Sequence, residues 1–177
     1  MPRTLFTTDR LLARQITAAD LPTMLAVYGD REAMRWVGDG EPLTAESCAR
    51  WLEVTENNYR TKGYGMSTLE ERASGQVVGF CGLVHPGGQS EAEIKYALLR
   101  RFWGLGLATE AARGMLAYGT ATFGLAHIIA TVALEHTASH HVLGKAGLAK
   151  GRLITQDDGS QTQVFTWQGD ASSDTQP

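Results

Sequence analysis

Arg101-Phe-Trp-Gly104-Leu-Gly106 joins a strand-like apolar run, Ala97 to Leu99, to a strong helical pattern that continues to Tyr118. Glycines at 104 and 106 allow positive φ and turn several N–H groups toward one point, and the helix start adds unpaired amides and a partial positive charge. Such a turn binds an anion, most naturally phosphate. The same residues also serve as a bare strand-to-helix connection, and both readings stand at the level of the turn alone. A Gly-x-Gly-x-x-Gly dinucleotide fingerprint is rejected. Its third position is Thr109, and too few strands follow for repeated βαβ units.

Other reactive side chains are scattered. His85, in the loop His85-Pro-Gly-Gly-Gln-Ser90, has an unperturbed pKa near neutrality and is a third-rank candidate base. Cys48 and Cys81 have no CxxC spacing and sit among apolar neighbours, as small core residues do. His140 and His141 are adjacent on a helix and point about 100° apart, and neither they nor His127 have thiol or carboxylate partners, so no metal is expected.

The elements that must position these groups follow from periodicity. Arg10 to Ile16 reads as a strand, Thr17 to Asp20 caps a helix through Leu21, Met24, Leu25 and Tyr28, and Thr44 begins a second helix bearing Cys48, Trp51 and Leu52. Tyr64 to Leu69 and Gln76 to Val84 form a hairpin, and Glu91 to Leu99 is a strand entering the glycine turn. A helix over 109–123, a β-branched strand over 127–134, a helix over 135–146 and two strands near 149–155 and 161–167 complete the chain.

The 177 residues, 43% hydrophobic and 20% charged, suit one domain over 1–168 with a polar, unstructured tail over 169–177. No apolar run reaches a membrane span and the N-terminus resembles no signal peptide, so the default compartment is the cytoplasm. A net charge of −3 argues against broad nucleic-acid binding and leaves a small molecule or peptide as the partner. A homodimer is left open.

This order of elements, with RFWGLGLATEAARGMLAYG following EAEIKYALL, resembles the GNAT superfamily of acetyl-CoA-dependent N-acetyltransferases. The family's phosphate turn, Gln/Arg-x-x-Gly-x-Gly/Ala, is matched by Arg101, Gly104 and Gly106. TTDRLLARQITAAD, MRWVGDGEPLTAESCARWLE, GQVVGFCGL and EHTASHHVLGKAGL are similar to the Rim-like branch, which includes the N-terminal acetyltransferases of ribosomal proteins; the likeness spans roughly residues 7–168. The resemblance implies an α/β (α+β) fold. Its sheet is mixed, mostly antiparallel and twisted, with about six to seven strands, about four flanking helices and splayed central strands that form a coenzyme cleft.

It also implies a site. Trp103, Gly104, Leu105, Gly106, Leu107, Ala108 and Thr109 wrap the coenzyme pyrophosphate with Arg101 nearby, and Leu98 and Leu99 pair with the pantetheine arm. Ser139 is the thiolate partner, because the tyrosine of other branches falls on Leu143. His136 replaces the branch's usual asparagine, as a coenzyme contact or a helix cap. An amine attacks the thioester directly once a base has taken its proton, and Glu93, Glu91 or His85 is that base. Lys95 stands where the family has glycine. The acceptor enters from the opposite side, with Trp36, Tyr64, Trp167 and His85 at the entrance. The implied activity is acetylation of a primary amine, a protein or peptide N-terminus first. A polyamine, amino acid or aminoglycoside is the enzymatic alternative, and a non-catalytic acyl-CoA-binding module the other.

Overall fold

Apolar runs between turn residues become strands β1 (Thr4–Thr7), β2 (Leu11–Gln15), β3 (Met66–Glu71), β4 (Val77–Val84), β5 (Ala92–Leu98), β6 (His127–Ala133), β7 (Ala149–Thr155) and β8 (Gln161–Gln168). The helices are α1 (Leu21–Tyr28), α2 (Arg31–Met34), α3 (Ala45–Lys62), α4 (Leu107–Phe123) and α5 (Thr137–Ala146). The computed structural model describes residues 1–169. Of the tail expected to be unstructured, 170–177 lie outside the described residues, and the Gly169 N–H donates to Ala126 O at 2.8 Å.

One eight-stranded sheet runs in the order β1-β2-β3-β4-β5-β6-β8-β7. Every neighbouring pair is antiparallel except β5 and β6. Its two faces carry separate cores. Met24, Val27, Tyr28, Met34, Cys48, Leu52 and Phe80 form one beneath α1 to α3, and Leu83, Leu98, Leu107, Met115, Leu116, Ile128 and Leu143 belong to the other beneath α4 and α5. Both cysteines are free and buried, and burial pushes the Cys81 thiol up to about 12.

Several boundaries differ from expectation. β1 is an additional edge strand whose four residues are too short and too exposed to carry a period-2 signal. On α1 the inward stripe is Met24, Val27 and Tyr28, and Leu25 is 38% exposed. Trp51 is equally exposed and meets Tyr28 edge-on, with ring centroids 5.0 Å apart. α4 starts two residues earlier than its periodicity suggests, directly after Gly106, which brings its first amides to the turn.

Candidate active site

The turn begins where β5 ends. Leu99 N–H donates to Val78 O at 2.9 Å, Phe102 N–H donates to Leu99 O at 2.9 Å, and Gly104 and Gly106 follow with φ of 74° and 77°. Side chains strain at such angles, and these two glycines let α4 start with no side-chain cap. Among the described residues none of the amides from Gly104 to Thr109 has an acceptor; the first to donate is Glu110 N–H, to Gly106 O. Orphan donors at a helix N-terminus are an anion site.

A brace from the β1–β2 turn holds this loop open. The Arg10 guanidinium donates to Leu105 O at 2.8 Å and to Glu110 Oε2 at 2.6 Å, and the Thr8 hydroxyl and Arg10 N–H donate to Glu110 Oε1. Burial alone would raise the Glu110 pKa, yet these bonds outweigh it and hold the carboxyl below its usual range.

β5 and β6 pair only at Ala92 with Ile128 and Glu93 with Ile129, then part. Because the bond from Leu99 to Val78 sets the phase of the antiparallel ladder, the backbone groups of Tyr96 and Leu98 point away from β4 into the gap. Two cavities open there. One, of about 640 Å³, is lined by the glycine turn together with Thr137, His141 and Lys145 of α5. The other, of about 1060 Å³, lies between α3, the stretch after α2 and the β7–β8 turn. Trp36, Tyr96, Glu135, His136 and Ser139 line both.

At this shared wall the Tyr96 hydroxyl lies 2.6 Å from Ser139 Oγ. Burial pushes the phenol up to about 12, against a smaller opposing effect of the Ser139 hydrogen bond, so it keeps its proton at neutral pH. Trp36 stacks on the His136 imidazole, 5.6 Å apart and 15° from parallel, and the Arg35 guanidinium lies 4.8 Å from the Trp36 ring. Desolvation lowers the His136 pKa, and nearby His140 lowers it further. The start of α2 is fixed by Asp30, which accepts from Glu32 N–H and is paired with Arg100 at the foot of the glycine turn. Trp103 Nε1 donates to Leu98 O at 2.8 Å.

Residues 10–149 match a family model described as Acetyltransferase (GNAT) domain. The chain belongs to the GNAT acetyltransferase family. It is an N-acetyltransferase, and GNAT enzymes take the acetyl group from acetyl-CoA to an amine. The uncharacterized N-acetyltransferase YoaA of Bacillus subtilis strain 168 is 29% identical over 151 residues, 84% of this chain and 85% of the relative. The ribosomal L7/L12 alpha-N-protein acetyltransferase RimL, solved with coenzyme A, superposes with a TM-score of 0.81 at 13% identity, covering 96% of this chain and 100% of that one. Spermidine N-acetyltransferase from Vibrio cholerae, solved with CoA and spermine, gives 0.76 at 16% identity, covering 91% and 96%. At these identities the two structures speak to the fold, which is the GNAT fold.

In this GNAT chain the expected site residues separate into two groups. Leu98, Trp103, Gly104, Gly106, Leu107, Ala108 and Thr109 line the smaller cavity, and Trp36, His136 and Ser139 line both. Arg101 lies 4.9 Å from the Phe102 ring and lines neither cavity, nor do Leu99 and Leu105; the Leu99 N–H and carbonyl are already used within the chain.

None of the three expected bases lines either cavity, although Lys95 and Thr131, which hold Glu93, line the larger one. Glu93 is 2% exposed, its Oε1 accepting from the Thr131 hydroxyl and lying 2.6 Å from Lys95 Nζ, its Oε2 accepting from Gln89 Nε2 at 3.2 Å. Glu91 lies 3.9 Å from His127 Nε2. His85 has both ring nitrogens engaged: the Gln89 carbonyl accepts from Nδ1, and in the neutral ring Nε2 accepts from the Tyr64 hydroxyl at 2.8 Å. Tyr64 packs into the core beside Phe123, and Trp167 packs against the same core from β8, so neither reaches the larger cavity. Tyr96, Arg10 and Glu110 join the site through long-range contacts that no local pattern in the sequence marks.

Proposed function

We propose that the protein acetylates the free α-amine of a peptide or protein N-terminus, in the manner of the Rim-like branch, with acetyl-CoA as donor. The observation that carries this reading is the junction of two cavities at Tyr96, Ser139 and His136, one lined by unsatisfied amides and the other open enough for an extended chain end. Two free buried cysteines and no disulfide among the described residues support a cytoplasmic setting.

Bound acetyl-CoA supplies an activated thioester. The amides of Gly104 to Thr109, at the positive end of α4, hold its pyrophosphate, and the backbone edge at Tyr96 and the Leu98 N–H receives the pantetheine arm, the Leu98 carbonyl being taken by Trp103 Nε1. Backbone N–H groups on that edge are also the donors available to charge developing on the thioester oxygen. Ser139, replenished by the Tyr96 phenol, gives a proton to the departing sulfur. No covalent nucleophile takes part.

A second reading, a polyamine acceptor, is favoured by Asp39, Glu135, Asp157 and Asp158, which line the larger cavity against only Arg35 and Lys95. Thiol release from acetyl-CoA, followed with peptides bearing free or blocked N-termini and with spermidine, decides between them. Turnover only with free N-termini supports the first reading. Turnover with spermidine alone replaces it with the second, and none with any amine overturns both.

A further inference from the structure

We infer that His136 is the general base of this site, taking the proton from the acceptor ammonium; the inference rests on the transferase reading above. Glu93 is saturated by Lys95, Thr131 and Gln89, Glu91 faces His127, and His85 is held at both nitrogens. None of the three lines either cavity.

His136 meets each requirement that they miss. It lines both cavities, so one ring can face an acceptor in the larger and a thioester in the smaller. Although it occupies the position before α5, its side chain makes no capping bond, and among the described residues neither ring nitrogen has a hydrogen-bond partner. The Trp36 face fixes the ring plane without consuming a nitrogen. The half-buried ring also keeps contact with solvent, to which a proton must finally go.

The charge environment suits the task. His140 opposes protonation of the ring, and the other basic groups lining the two cavities are His141 and Lys145 on α5, Arg35 beyond Trp36 and Lys95 on β5. Glu32 on α2, Asp39 in the following loop, Glu135 at the end of β6, and Asp157 and Asp158 at the β7–β8 turn oppose these cations; Tyr96 is neutral. A ring whose pKa is lowered by burial is an unprotonated acceptor at neutral pH, and surrounding carboxylates support the transient imidazolium. The protons balance. Of the two that the ammonium loses as the C–N bond forms and the C–S bond breaks, His136 carries one to solvent and the other ends on the sulfur through Ser139 and Tyr96.

His136→Asn is the informative variant, because it restores the amide usual for the resembling branch and removes only the titratable ring. With the best acceptor from the amine panel, the acid limb of wild-type kcat/KM should follow the His136 pKa read by NMR titration. In the variant kcat should fall about 10²-fold and lose that limb, with partial rescue by added imidazole and acetyl-CoA affinity unchanged within about threefold. A variant that keeps the wild-type rate and acid limb, or whose loss lies wholly in acetyl-CoA affinity, overturns this assignment alone. A wild type inert toward every amine overturns the transferase reading as well.

Discussion

The Tyr96 hydroxyl and Ser139 Oγ, 2.6 Å apart, join β5 to α5 at the point where the two cavities meet. In the mechanism proposed above they act as one proton-donating unit. Tyr96→Phe should lower kcat about 10²-fold with little change in the KM for acetyl-CoA, and Ser139→Ala should do the same. Residues acting as a unit are not additive, so the double variant should be no slower than the worse single one. Steady-state rates of the three variants check this, and a multiplicative loss would mean that the two hydroxyls act separately.

The Arg10 and Glu110 brace lies behind the glycine turn. Glu110→Gln should slacken Leu105 through Arg10 and weaken acetyl-CoA binding about tenfold, equivalent to about 1.4 kcal/mol, without altering the pH profile of kcat. Calorimetric titration reads the affinity, and unchanged binding would show that the turn keeps its shape unaided.

A buried ion pair between Arg14 and Asp20 contributes to acid stability. Arg14 donates two bonds to Asp20 at 2.8 Å, and their side chains are 12% and 4% exposed. Burial pushes the Asp20 pKa up, but Arg14, the Thr17 N–H and the Thr68 hydroxyl together hold it below the unfolded value of 3.8. A depressed carboxyl contributes stability that is complete above pH 3.8 and is lost as pH falls through the folded value. Thermal midpoints between pH 6 and pH 2 should therefore drop at the acid end, and Asp20→Asn should remove that component. Arg14 keeps Glu70 as a partner at 2.5 Å, so the same variant should cost about 1.5–3 kcal/mol at neutral pH through the charge-assisted hydrogen bonds it loses. A neutral-pH midpoint like the wild type would contradict this.

Much of the fold could be read from local pattern, because strand composition, helix caps and turn residues act over a few positions. The glycine turn was readable for the same reason: positive φ at 104 and 106 is a demand that only glycine meets cheaply. Side-chain partnerships were harder. Glu93 reads as a free acid in the sequence because its hydroxyl partner Thr131 is brought alongside only by β6, although Lys95 at i+2 on the same strand face is a local hint of pairing. Tyr96 faces the side of β5 opposite to Glu93, and its partner lies 43 residues on, so no spacing rule connects them. Arg10 and Glu110 are 100 residues apart and meet only because the β1–β2 turn folds against the start of α4.

In the function proposed above the open amides after Gly104 hold acetyl-CoA, and Gly106 tests this. A Cβ there would sit 3.4 Å from the Arg10 guanidinium, at a φ that costs an L-residue about 1–2 kcal/mol. Calorimetric titration of acetyl-CoA into the wild type and Gly106→Val, with folding checked by thermal melts, is the direct measurement. The account predicts saturable one-to-one binding to the wild type and affinity at least about tenfold weaker in a folded variant. Equal affinity in the two proteins, or no heat with the wild type at millimolar ligand, would contradict it.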